Sequence, residues 1–159
     1  MIDKLHPSQR FLYEYGCFMT FWSNFELTME VAIHKYLEND PKENCRRINK
    51  LTAGIKKNRL KEILDGKSEI EKLEALNNVF EVAERNDWIH GHILNPNGDF
   101  STFTRLRVKF TSAEIQVTNN KINFVDSPFD EFYTAYENFM QKIELTKEQC
   151  DVYITDIQN

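Results

Sequence analysis

Residues 8–36 read SQRFLYEYGCFMTFWSNFELTMEVAIHKY, and the spacing of their apolar side chains decides the fold. Phe11, Tyr15, Phe18, Trp22, Phe25, Met29, Ala32 and Tyr36 recur at steps of four and three, the period of one face of an α-helix. A second row, Leu12, Met19, Glu26 and Ile33, runs beside it at seven-residue spacing. The helix is therefore apolar over a broad arc and is expected to meet more than one neighbour. Glu26 is the single acid in that row. An unpaired buried carboxylate is costly, so a partner is expected for it, an Arg or a backbone N–H. His6-Pro7-Ser8 supplies the start and Asn39-Asp40-Pro41 the stop, which gives a helix over about 8–39.

Working outward, residues 43–65 carry a second helical pattern through Ile48, Leu51, Ile55, Leu60, Ile63 and Leu64, closing at Asp65-Gly66. Arg46, Arg47, Lys50, Lys56, Lys57, Arg59 and Lys61 make it the most basic element, read as a solvated face or as a functional patch. A third helix is expected over 68–94. Ser68 and Glu71 form its capping box, Leu73, Leu76, Val79, Phe80 and Ala83 its core stripe, and Asn95-Pro96-Asn97-Gly98 its stop. The period then changes to two in Arg105-Leu106-Arg107-Val108-Lys109-Phe110, as on a half-buried strand. Asn119-Asn120 is expected to be a two-residue turn that sets Val117 opposite Ile122 and Ile115 opposite Phe124. Ser127-Pro128 opens a last amphipathic helix, through Phe132, Tyr136, Phe139 and Ile143, over about 128–157. The expected fold is mainly α. It is an up-and-down bundle of about four helices, with a small antiparallel hairpin or sheet at about 100–126 inserted before the last one, in a single domain over 1–159.

The bulk properties narrow the function classes. At 159 residues, with 41% hydrophobic and 28% charged residues, the chain has the balance of a globular protein large enough to bury a core. Its net charge of -5 gives no general attraction to nucleic acid, so RNA binding would need a local basic patch. Cys17, Cys45 and Cys150 are an odd number without metal-like spacing and read as reduced thiols. With no signal-like N-terminus and no long apolar run, the expectation is a soluble cytoplasmic protein that makes no membrane contact.

The chemistry concentrates in Arg85-Asn86-Asp87-Trp88-Ile89-His90, followed by Gly91-His92. Guanidinium and imidazole are groups that bind a phosphate and move a proton near neutral pH. On a straight helix Asn86 and His90 share a face, whereas Arg85 lies about 140° from His90 and projects away from the core stripe. One copy makes a poor enclosure for a substrate. Two copies across a two-fold axis would make a cleft with two Arg and two His. The fitting chemistry is metal-independent RNA cleavage. His90 would act as general base or acid for the ribose 2′-OH or the leaving oxygen, Arg85 would stabilise phosphoryl charge, and Asn86 would orient either. A metal at His90-x-His92 is disfavoured, because residues two apart on a helix point about 200° apart. The Glu-x-x-His pairs of a di-iron bundle, a phosphate-cradling Gly-rich loop and a nucleophile elbow are absent from the sequence. Arg105, Arg107 and Lys109 would share one strand face, either a track for RNA phosphates or a solvent face that guards the strand against aggregation.

Arg85-Asn86-Asp87-Trp88-Ile89-His90-Gly91, late in the third helix, resembles the HEPN superfamily motif of Arg, four to six residues, then His, with a polar residue after the Arg. Trp22-Ser23-Asn24-Phe25-Glu26 is similar to part of the first helix of such domains, and the likeness covers roughly 8–94. The resemblance implies a dimeric helical bundle and, in many members, a ribonuclease of toxin–antitoxin, phage-defence or RNA-processing systems. Other members are inactive binding modules. It makes Arg85 and His90 the catalytic pair, with Asn86 beside them. It requires no cofactor, and it makes a homodimer, RNA and a nucleotidyltransferase antitoxin the expected partners. This chain departs from the pattern at His92, where toxin-type members often carry Tyr, and in the inserted sheet. The alternative is a non-catalytic dimerisation or binding module, with Arg85, Asn86 and His90 hydrogen-bonded at the dimer seam and Glu26 as a possible partner.

Overall fold

The computed structural model describes residues 5–37, 46–84, 88, 92–94, 102–110, 115–123 and 127–158. Helix α1 spans Pro7–Tyr36. Pro7 takes the first helical position, where its missing N–H costs nothing. The His6 carbonyl accepts from the Gln9 and Arg10 N–H groups at 2.8 and 3.0 Å. Most of the expected seam is buried: Phe11, Phe18, Trp22, Phe25, Met29 and Ala32 are 3% exposed or less. The second row is less uniform, since Leu12 is 65% exposed while Ile33 is fully buried.

Four boundaries differ from the expected ones, each for a local reason. The helix expected over 43–65 is interrupted. A helical turn at 46–49 closes when the Leu51 N–H bonds the Ile48 carbonyl at 3.0 Å. Thr52 then turns extended (ψ 158°) to begin α2, Ala53–Gly66. The Ser68–Glu71 capping box does not form, because Ser68 takes a left-handed φ of 58° as the stop of α2. Its N–H bonds the Asp65 carbonyl, and the Glu69 N–H bonds the Leu64 carbonyl, both at 2.9 Å. Helix α3 starts later, at Ile70, and ends at Ala83 rather than near 94. Glu84 adopts φ 41°, which breaks the helical ladder. The last helix is two: α4, Asp130–Ile143, and α5, Lys147–Gln158. Glu144 (φ 52°) ends α4. A reciprocal capping box then starts α5, with Gln149 N–H to Thr146 Oγ1 at 3.2 Å and Thr146 N–H to Gln149 Oε1 at 3.0 Å.

The sheet has three antiparallel strands in the order β1 (His92–Leu94), β2 (Thr102–Phe110), β3 (Ile115–Asn123). Asn119-Asn120 is not a turn. The two asparagines pair with Leu106 and Arg105 in mid-strand, and Val117 lies opposite Val108 instead of Ile122. The physical reason is ladder length, because β3 pairs with β2 over all nine residues and a central turn would forfeit most of those bonds. The faces also differ from the expected alternation. Among the β2 side chains that are described, Phe103 and Arg105 are buried and Leu106 is half-buried, while Val117 of β3 is 58% exposed.

The molecule is thus mainly helical, with the small sheet inserted before the last two helices. Its internal contacts divide it into two compact units. The sheet unit comprises Met1–Met19 and Phe80–Glu131, and the helical unit Thr20–Val79 and Phe132–Asn159. The sheet unit is centred on rings: Phe18 stacks on Phe129 at 4.7 Å, and Phe11 meets Phe103 edge-on at 5.1 Å. The helical unit buries Leu60, Leu64, Leu76 and Val79 completely. It also carries its own aromatic set, Phe25 lying edge-on to Tyr136 and Phe139. Among the described residues no helix is long and apolar enough to cross a membrane.

Candidate functional site

Arg85, Asn86 and His90 lie outside the described residues, and so does the side chain of His92; what the structure gives is the setting of Trp88 between them. Trp88 is 4% exposed. Its N–H donates to the Glu84 carbonyl at 3.2 Å. Its own carbonyl accepts a long hydrogen bond, 3.4 Å, from the Tyr15 hydroxyl of α1. Its indole packs against Phe129 at 4.7 Å and Phe103 at 6.2 Å. The Arg105 guanidinium lies over the indole face, 4.6 Å from the centroid. A desolvated cation–π contact of this kind contributes about 2 kcal/mol.

Arg105 was expected on a solvent face of β2, yet it is 4% exposed. Its Nη2 donates to Glu84 Oε2, forming an ion pair with the residue directly before Arg85. With the Asn120 amide oriented to satisfy both its neighbours, its oxygen accepts from Arg105 Nη2 at 3.1 Å and its nitrogen donates to the Asn119 carbonyl at 3.3 Å. Arg105 Nη1 is buried without an acceptor among the described residues. The cross-strand register explains the grouping: Arg105 lies opposite Ile93 on one side and Asn120 on the other. A planar guanidinium can stack and donate at its edge at the same time, which a lysine cannot. The guanidinium is therefore turned inward, onto Trp88 and Glu84, and does not offer itself to a solvent-borne phosphate. The side chains of Arg107 and Lys109 lie outside the described residues.

Glu26 is placed in the helical unit. It accepts from Trp22 Nε1 and lies 3.8 Å from Lys56 Nζ, so its partners include an indole and a lysine, where an Arg or a backbone N–H was expected. Beside it is a buried polar cluster that the sequence reading did not anticipate. Glu30 (5% exposed) pairs with Lys56 (4%), and its second oxygen accepts from the fully buried Tyr153 hydroxyl and, at 3.5 Å, from Asn49. Of the expected basic face, Arg46, Arg47, Lys50, Arg59 and Lys61 are exposed, while Lys56 belongs to this interior cluster. Cys17 and Cys150 are free thiols. Burial, reinforced by Asp151, pushes the Cys150 thiol up and makes it a poor nucleophile. Burial also pushes the Tyr136 phenol up, partly offset by its hydrogen bond with Thr28.

Trp88 and Arg105 stand out in the sequence, but their connection to each other and to Glu84, Tyr15 and Asn120 does not. One signal was available: Phe103 and Arg105 share strand parity, so a buried Phe103 draws Arg105 to the same face. Comparison with family models, curated proteins and solved structures yields no match, so the setting of the stretch is read from this chain alone.

Proposed function

We propose that this chain is a HEPN-like, metal-independent endoribonuclease whose site is completed by a second copy across a homodimer. It would act as a toxin, a defence effector or an RNA-processing enzyme. The observation that carries the reading is the anchoring of Trp88. The residue at the centre of Arg-Asn-x-x-x-His is gripped by two rings, a guanidinium and two backbone hydrogen bonds, as a stretch that must hold reacting groups in place requires. The mainly helical fold agrees with the resemblance. In this reading His90 takes the proton of the ribose 2′-OH or supplies one to the leaving oxygen. Arg85 neutralises charge on the phosphoryl oxygens, and Asn86 orients one of them.

The test is cleavage of mixed cellular RNA by the purified chain in the presence of EDTA, with oligomeric state followed by light scattering. Arg85→Ala and His90→Ala should each lower the rate by about 10²–10⁴-fold while leaving a folded dimer. A chain that cleaves no RNA, or variants that cleave as well as the parent, would overturn the reading. Variants that dissociate the dimer instead would point to the non-catalytic interaction module.

A further inference from the structure

We infer that the outer edge of β3 is the surface along which a second copy of this chain pairs, antiparallel about a two-fold axis, joining two three-stranded sheets into one. The inference names an interface for the homodimer invoked above, and rests on that reading only for the dimer's part in cleavage. Among the described strands β1 and β3 are the edges of the sheet, and they differ in what guards them. Strand β1 is three residues long. Strand β3 runs nine residues, with Lys121 its single charge, no proline, and an unbroken register against β2. Native edges are blunted by shortness, charge, proline or a bulge, and β3 has little of this. Its exposure agrees. Asn120 and Ile122, opposite Arg105 and Phe103, are half-buried, whereas Val117 is 58% exposed and Asn119 and Lys121 are exposed on the other face. Thr118 has the parity of Asn120 and is exposed too, so at 117–119 the strand stands clear on both faces. A second copy fits this edge better than a foreign strand, because symmetry supplies a partner of equal length and matched parity. An axis through Asn119, the midpoint of β3, overlaps all nine residues. It sets Thr118 opposite Asn120, polar against polar, and Lys121 opposite Val117, so no like charges face each other. Pairing β3 with β3 leaves the short β1 strands as the edges, which gives a closed dimer rather than a fibre.

The test is the dimer Kd of the full chain by sedimentation, read for charge variants checked for folding by circular dichroism. Val117→Lys sets a cation against Lys121 on each side of the axis and should raise Kd about tenfold. Val117→Glu sets an anion there and should leave Kd unchanged or lower. Combining Val117→Lys with Lys121→Glu should restore the parental value. Asn119→Lys opposes two cations at the axis itself; it should also raise Kd, and it decides the matter should Val117→Lys fail to fold. Amide exchange over β3 should slow as concentration passes through Kd, with α2 unchanged. A chain still monomeric at about 100 μM would overturn the pairing. So would a Kd that rises equally for Val117→Lys and Val117→Glu, the mark of a merely structural effect, or assembly into polymers. RNA cleavage by a dimer indifferent to these variants would sink the interface and leave the functional reading standing. A dimer that responds as expected but cleaves no RNA would do the reverse.

Discussion

Among the described residues each unit buries charged side chains, Glu30 and Lys56 in the helical unit and Arg105 in the sheet unit, and the two solve the problem of burial differently. In the helical unit, Glu30 and Lys56 are both interior, and Tyr153 and Asn49 donate to the second carboxylate oxygen. Both carboxylate oxygens of Glu30 are paired, as a buried ion pair requires if desolvation is not to exceed the attraction, and the cluster continues toward the surface through Glu26 and Asn49. In the sheet unit, Arg105 is interior, but its ionic partner Glu84 has a side chain 48% exposed, and Nη1 has no acceptor among the described residues. That guanidinium is bound mainly by a ring face and by a residue at a chain turn. A fully paired cluster contributes to global stability. A one-sided one contributes less, because solvent reaches its ionic partner Glu84.

The largest effect should come from breaking the paired cluster. Lys56→Met leaves the Glu30 carboxylate buried without its cation and should cost about 3–5 kcal/mol in denaturant unfolding, whereas Lys56→Met combined with Glu30→Leu should recover much of that loss. Arg105→Met should cost less, about 2 kcal/mol, because solvent takes over the half-exposed Glu84. If Arg105→Met proved as costly as Lys56→Met, the contrast between the two units would fail. Tyr153→Phe removes one donor from Glu30 while Lys56 remains, and should cost about 1–2 kcal/mol by the same measurement.

The smallest effect sharpens the contrast at the surface. The Lys142 ammonium, by hydrogen bond and then by charge, holds the exposed Glu71 carboxyl below the usual carboxylate range. A depressed carboxylate stabilises above its unfolded pKa, and that contribution is lost as pH falls through the folded value. The stability difference between the parent and Glu71→Gln should therefore be small at neutral pH and vanish on acidification. A difference that grew as pH fell would contradict the pairing.

How much was legible in the sequence can be judged residue by residue. The α1 seam was readable because a long run at steps of three and four has few other interpretations. The reading of Arg85, Asn86 and His90 rests on residue types alone, because their placement lies outside the described residues. The break at Ala83 was not readable, since Glu84 is an ordinary helix former and only its backbone conformation ends the helix. Asn119-Asn120 has the residues of a turn, and only pairing along the whole of β2 makes it strand. Arg105 reads as surface by its charge, and only the proximity of Trp88, Glu84 and Asn120 makes an interior place favourable.

Local period and side-chain chemistry, which are properties of neighbouring residues, determined the helical class, the main seam and the stretch where function is sought. The tertiary structure decided where helices stop, which strand face turns inward and which charges are buried. Those outcomes depend on partners distant in the chain: Glu30 with Tyr153, Arg105 with Glu84, Trp88 with Tyr15. The free energy of a buried charge is set by what stands beside it in space, and no periodicity encodes that.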